Sequence, residues 1–393
     1  MKQKTCIDHV EVTTVGSDRL RVTWETRQPS DGVLWLGAAP WHLQPYGAEG
    51  SHVRVHSVEV RSLRPQTYYW FRVQSADTWS TFSAAKTLAA PRGRLLFSFV
   101  VLSDTHLTEQ KNTAGKAETY FGKLSLKSEL LLRTTFEEAA RLGAAFAIVN
   151  GDLTDAGRPE QFDRFAEIMQ TARLPVYVNL GNHDKLSAEW KYGQKLLLGG
   201  DLPAYRFTHQ SVQFLMIDSA VAGRTRGAIS PEVLRWTEAA LSQQAGIPAF
   251  VLLHHPIAGE SARLGGVHSP RLRRLLVSHG NVAGVISGHT HRNAHRLLGD
   301  VPCTEISATV QYPMGFLWVR VFEQSYEQLY CPVPLLEVQA ESLQAIRLHA
   351  LPKRLYRRHV MGGPEMRNFT HLLPGPLMAH PGEVPMPHRE DLV

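Results

Sequence analysis

Five short apolar runs in the middle of the chain end in the same way. Leu95 to Leu102 runs into Ser103-Asp104-Thr105-His106, Phe146 to Val149 into Asn150-Gly151-Asp152, and Pro175 to Leu180 into Gly181-Asn182-His183-Asp184. Ala249 to Leu253 runs into His254-His255-Pro256, and Val282 to Ile286 into Ser287-Gly288-His289-Thr290-His291. Each run is too short for a comfortable helix and rich enough in branched residues to be a buried strand. Amphipathic stretches between them predict helices. Ser128 to Leu142 places Leu131, Thr135 and Ala139 near one face and stops at Gly143; Pro159 to Arg173 has a packing stripe of Phe162, Phe165 and Met169. Ser230-Pro231 and Ser269-Pro270 read as helix starts, a cap residue followed by proline. Ligands of open α/β sheets sit in the crevice beyond the carboxyl ends of the strands. The five runs therefore deliver Asp, Asn and His side chains to one rim, with Asp152 in the middle, as a metal site would require.

From Arg19 to about Leu88 the pattern changes to short alternating strands. Leu20, Val22 and Trp24 share one face, and Arg21, Thr23 and Glu25 the other. Strands at this spacing, with turns at 30–32 and 47–50, predict a β-sandwich over residues 1–90. His9, His42, His52 and His56 are read as surface or contact residues, and Trp35 and Trp41 as core. Residues 89–94, small and turn-forming, are the expected linker to a domain at 95–330. The segment 108–127 is polar and is read as a flap over the site. Beyond Cys331 a Pro-rich extension, 331–393, carries the basic run Lys353-Arg354-Leu355-Tyr356-Arg357-Arg358-His359. That run is compatible with a weak contact to an anionic surface, a solvated packing arm being the favoured use.

With 393 residues, 43% of them hydrophobic and 20% charged, the chain suits a two-domain globular protein with a sizeable core. No apolar run is long enough to span a bilayer, and the basic N-terminus has no apolar stretch behind it. Cys6, Cys303 and Cys331 are scattered, which argues against a disulfide framework or a thiolate metal site and points to a cytoplasmic location. The net charge of +6 favours an anionic partner only weakly. No basic strip with interleaved aromatics lies near the motifs, so a nucleic-acid surface is not indicated, and nothing signals an oligomeric state.

Residue types at the five ends decide the chemistry. Asp104 and His106, alternate after a strand, can grip one ion, as can His289 and His291. Asp152 is suited to bridge two ions roughly 3.5–4 Å apart. Asn182 supplies a neutral amide oxygen, and its neighbour His183 is left free for proton transfer. Asp184 either holds that imidazole or caps the following segment. Neighbouring side chains diverge, so only one of His254 and His255 is a direct ligand. Mixed oxygen and imidazole donors suit Mn, Fe, Zn, Co or Ni better than Mg or Ca alone.

Taken in order, D-x-H, G-D-x-x-D, G-N-H-D, H-H-P and G-H-T-H resemble the calcineurin-like metallophosphoesterase superfamily, over Leu95 to about Leu329. The resemblance implies a four-layer α/β/β/α sandwich holding two divalent ions. One would be bound by Asp104, His106, Asp152 and His291, the other by Asp152, Asn182, His254 and His289. His183 takes the proton-donor position, with Asp184 beside it, while His255 and Asp155 fall behind the ligands or against substrate. The implied reaction is hydrolysis of a small phosphate ester by metal-activated hydroxide, most simply a phosphodiester, with cyclic nucleotides among the implied substrates. The alternatives are a phosphomonoester and a non-catalytic scaffold of the same fold. Leu63-Arg64-Pro65-Gln66-Thr67-Tyr68-Tyr69 resembles a fibronectin type III module, in which Tyr69 would tie a corner. A purple acid phosphatase shares this layout, but His106 and Asp155 stand where that group has glycine and a metal-binding tyrosine, so no purple colour is implied.

Overall fold

A computed structural model of the chain describes residues 6–47, 52–109, 122–201, 203–346, 352–375 and 377. The expected turn at 47–50 and most of the flap at 108–127 lie outside the described residues. The alternating N-terminal pattern forms two antiparallel sheets. One contains β1 (Ile7–Val15), β2 (Arg19–Ser30) and β5 (Val53–Arg61). The other contains β3 (Gly32–Ala39), β4 (His42–Gly47), β6 (Tyr68–Ser75), β7 (Thr78–Trp79) and β8 (Ser83–Lys86). Leu20, Val22 and Trp24 from the first sheet and Leu34, Phe71 and Val73 from the second share one core. His56 is not at the surface: its ring stacks on Trp24, centroids 4.9 Å apart, fully buried. Trp35 and Trp41, in contrast, lie outside the core; Trp41 is 87% exposed and Trp35 is half-buried, donating to Gln74. The Tyr69 hydroxyl accepts from the Arg64 amide at 2.9 Å, so it pins the chain reversal before β6.

The rest of the chain builds two six-stranded mixed sheets. In the first, β11 (Val176–Asn179), β10 (Ala147–Asn150) and β9 (Leu95–Leu102) run parallel, followed by β18 (Gly315–Phe322), β19 (Ser325–Pro332) and β20 (Phe369–Leu372). The second contains β12 (Ala204–His209), β13 (Val212–Ile217), β14 (Ala249–Leu252), β15 (Val282–Ser287), β17 (Val301–Glu305) and β16 (Ala294–Leu298), in that order. Phe99, Phe146, Phe214 and Phe250 fill the space between the sheets. Helices 128–141 and 159–171 cover the outer face of the first, and helices 231–243 and 270–278 that of the second. The layers are thus α/β/β/α. Ser230 and Ser269 cap the last two helices as their sequences predict, accepting from Val233 and Leu272. In helix 159–171 the stripe is Phe162, Phe165 and Ile168; Met169 is only partly buried.

The first sheet continues past residue 330. β20 hydrogen-bonds to β19, and helix 353–361 packs on the body of the molecule through Tyr356 and Val360, with Arg354, Arg358 and His359 exposed. Arg357 pairs with Glu25 at 2.8 Å and with Glu11 at 3.5 Å. Among the described residues no helix is long and apolar enough to cross a membrane.

Candidate metal centre

β9, β10, β14 and β15 leave their mixed sheets at one end of the molecule, and the loop after β11 joins them there. Asp104, His106, Asp152, Asn182 and His254 are buried, and His289 and His291 are partly so. The backbone that presents them is unusual. Asp104, His106, Asp152, His289 and His291 have φ of +54°, +41°, +49°, +69° and +53°. Left-handed conformations are unfavourable for residues with a Cβ and persist where surrounding contacts over-determine them. Those contacts are visible: the Asp104 amide donates to the Gly151 carbonyl at 3.0 Å and the His106 amide to the Asp152 carbonyl at 2.9 Å.

The motif glycines are required by the same crowding. A Cβ on Gly288 would lie 1.9 Å from Ser103 Oγ and 2.6 Å from Asp104 Oδ2, and one on Gly181 would lie 2.2 Å from Asp152 Oδ1. At Gly151 it would meet the His254 ring at 2.4 Å. Gly288→Ala should therefore lower stability by about 1–3 kcal/mol through overpacking and displace Asp104. Gly280→Ala, with nothing within 4 Å of the new methyl, is the matched control. Thermal unfolding and bound-metal content of both variants check this.

The candidate ligand atoms converge. His106 Nε2 and His291 Nε2 face each other at 3.2 Å, and His291 Nε2 is 3.3 Å from Asp104 Oδ1. His254 Nε2 lies 3.3 Å from Asp152 Oδ2 and 3.9 Å from Asp104 Oδ1. His254 Nε2 is buried and makes no aligned hydrogen bond, while Nδ1 of the same ring bonds the Asn150 carbonyl at 3.0 Å. His289 Nδ1 is 3.0 Å from Asn182 Oδ1. A buried imidazole nitrogen without a partner, and two such nitrogens in contact, fit cations lying among these atoms. Asp152 Oδ2 also lies 3.7 Å from His106 Nε2, so its carboxylate faces candidate ligands on both sides of the cluster.

Electrostatics point the same way. Burial alone would raise Asp104 and Asp152, but the surrounding imidazoles hold both below the ordinary carboxylate range. His106 and His289 are lowered to about 3 and about 4, mainly by burial. His254 is the exception. Burial opposes its charge, yet the Asp152 and Asp104 carboxylates outweigh it and raise this histidine to about 10.

Around these residues the remaining candidates divide. The His183 ring is 31% exposed and its Nδ1 donates to the Asp155 carbonyl at 2.7 Å. Asp155 thus orients His183 through its backbone, while its carboxylate faces His106 Nδ1 at 3.3 Å and pairs with Lys123. Asp184 does not hold His183, nor does it cap the segment that follows. Fully buried, its oxygens accept from the amides of Gly181, Leu153 and Thr154 and from the Thr154 hydroxyl. It clamps the loop of Asp152 to the loop of Asn182. His255 has both ring nitrogens engaged, by Ser219 and the Thr225 carbonyl, beside the His289 ring at 4.4 Å.

Three contributors carry no motif. Asn150 donates to the carbonyls of Leu253 and Ile286, tying β10 to the second sheet where His254 leaves it. Glu305 accepts from Thr290 and Arg292 and so anchors the loop of His289 and His291. Gln311 accepts from His291 Nδ1. Asn150 precedes a quoted motif and could have been suspected; the other two are brought in only by the fold.

The family model for calcineurin-like phosphoesterases matches residues 97–293, just over half of the chain. The chain belongs to that family. It is accordingly a phosphoric ester hydrolase dependent on divalent metal ions. The glycerophosphodiester phosphodiesterase GpdQ of Enterobacter lignolyticus is 27% identical over 199 residues, 48% of this chain and 69% of that protein. The 3',5'-cyclic adenosine monophosphate phosphodiesterase CpdA of Escherichia coli is 27% identical over 208 residues, 50% of this chain and 72% of that protein. A purple acid phosphatase from yellow lupin seeds aligns with a TM-score of 0.46 and 15% identity, over 82% of this chain and 72% of its own.

Proposed function

We propose that this enzyme hydrolyses phosphodiesters at a centre of two divalent ions. One ion is held by Asp104, His106, Asp152 and His291, the other by Asp152, Asn182, His254 and His289. The observation that carries the reading is the position of the Asp152 carboxylate, whose Oδ2 lies 3.3 Å from His254 Nε2 and 3.7 Å from His106 Nε2, one from each proposed set. Ions bound there would supply positive charge at the phosphoryl oxygens and an acidified water. The chain supplies the rest. Only two carboxylates stand among the seven ligands, so two divalent ions keep a net positive charge that complements an anionic ester. His183, with Nδ1 committed to the Asp155 carbonyl, exchanges its proton at Nε2 and is placed to protonate the departing alkoxide.

A diester is favoured over a monoester by the charge of the surroundings. Lys123 is paired with Asp155, Lys185 with Asp218 and Arg292 with Glu305. A dianionic monoester would gain most from an uncommitted cation, and these three are committed. Paired assays with bis(p-nitrophenyl) phosphate and p-nitrophenyl phosphate over Mn, Fe, Zn, Co and Ni test the reading. Preference for the monoester with every metal would overturn it.

Metal uptake should release about one proton near neutral pH. His106 and His289 are already neutral there, whereas His254 is held charged up to about 10 and must lose its proton to ligate. Apparent affinity should then rise with pH towards that value. Calorimetry in buffers of different ionisation enthalpy measures the released proton directly.

The N-terminal sandwich is read as a fibronectin type III-like module. Its three-strand sheet, its facing sheet and the Tyr69 hydroxyl at the chain reversal support that reading.

A further inference from the structure

We infer that the C-terminal extension is part of the metal centre, with Tyr356 acting through Gln311 to fix the ring of His291. The inference rests on His291 being a ligand. Gln311 lies in the connection between β17 and β18; its Oε1 accepts from His291 Nδ1 and its Nε2 donates to the Tyr356 hydroxyl at 3.1 Å. Both polar atoms of one amide are thereby oriented. A proton held on Nδ1 leaves the lone pair of His291 on Nε2, the nitrogen that faces Asp104 and His106. Outer partners of this kind fix tautomer and ring direction in metal-bound histidines. Here the partner is a neutral amide, so it does so without adding negative charge.

Tyr356 is 4% exposed and packs in a cluster with Tyr312, Leu343, Ile346 and Val360. The same helix makes a second contact close to the ligand, since the Asn293 amide donates to the Val360 carbonyl at 2.8 Å. The helix is in turn fastened to the N-terminal sheet by Arg357 and by the buried Arg367, which bonds Glu11 and the carbonyls of Thr13 and Met361. Within the basic run Tyr356 and Arg357 are directed inward while Arg354, Arg358 and His359 are exposed, and neither Gln311 nor Tyr356 falls within the residues matched by the family.

The test compares Gln311→Leu, Gln311→Glu and Tyr356→Phe with the parent in the full chain. Cobalt(II) affinity is read by calorimetry, the ligand field by the visible cobalt spectrum, and integrity of the apo fold by thermal unfolding. Gln311→Leu should weaken cobalt binding by about 10–100-fold and alter the spectrum. Gln311→Glu, which keeps an acceptor for Nδ1–H, should stay within about threefold of the parent. Tyr356→Phe removes one oxygen and keeps the packing; the amide loses that acceptor and can turn its NH2 towards His291, so binding should weaken by about tenfold. Parent-like affinity in both Gln311→Leu and Tyr356→Phe would overturn the inference, as would Gln311→Glu falling as far as Gln311→Leu. A parent chain that binds no cobalt would instead remove the ligand assignment beneath it.

Discussion

Asp152→Ala is expected to leave the centre without metal and to lower phosphodiester hydrolysis by about four orders of magnitude, roughly 5.5 kcal/mol of transition-state stabilisation. Asp152 Oδ1 accepts from the His183 amide at 2.8 Å, while its Oδ2 faces His254 at 3.3 Å and His106 at 3.7 Å. Its own backbone, at φ +49°, holds the strained turn that brings Leu107 and Leu153 into register. Asp152→Asn separates charge from shape. The amide fills the same space but presents an N–H donor to at least one imidazole that needs an acceptor or a cation. Both variants should bind little metal by elemental analysis, and apo-state thermal unfolding distinguishes that from loss of fold. Metal content equal to the parent's in Asp152→Asn would refute the bridging role.

The same residue illustrates what sequence alone could reach. Each of the five candidate ends is local: a branched apolar run, then a break where a glycine or an alternating pair throws polar side chains to one side. Strand period and turn chemistry are short-range, so Asp104, His106, Asp152, Asn182, His254, His289 and His291 could be picked out before any fold was known. Helix caps at Ser230 and Ser269 were legible for the same reason. Asp184 was not. Its neighbours in sequence offered a histidine to orient and a segment to cap, but three of its four hydrogen bonds come from Leu153 and Thr154 on another loop. His56 is similar: a lone histidine on an alternating strand reads as surface, yet its ring is needed against Trp24 inside the module. Gln311 and Tyr356 lie far from His291 in sequence and reach it only through the tertiary fold. Nothing in a window of ten or fifteen residues could link them to that histidine.

His183→Ala should keep its metal and lose activity in a way that depends on the leaving group. General acids contribute about 10²–10⁴-fold when the departing oxygen needs a proton. An alkyl phosphodiester leaves as a strongly basic alkoxide and should show that full loss. A p-nitrophenyl ester leaves as a stabilised phenolate, which needs little protonation, so bis(p-nitrophenyl) phosphate should lose about tenfold or less. The geometry supports this division. The imidazole is partly exposed, beside but not within the buried ligand set, and the Asp155 carbonyl fixes which nitrogen carries the exchangeable proton. His183→Asn is a useful companion, since it restores a hydrogen-bond donor but cannot give up a proton at neutral pH; it should recover stabilisation of charge without recovering proton transfer. The decisive measurement is the ratio of the two substrates' kcat/KM in parent and variant, with metal content determined on the same samples. Equal losses on both substrates, with full metal occupancy, would remove His183 from the proton-donor role and leave it as a contact to the phosphoryl oxygens.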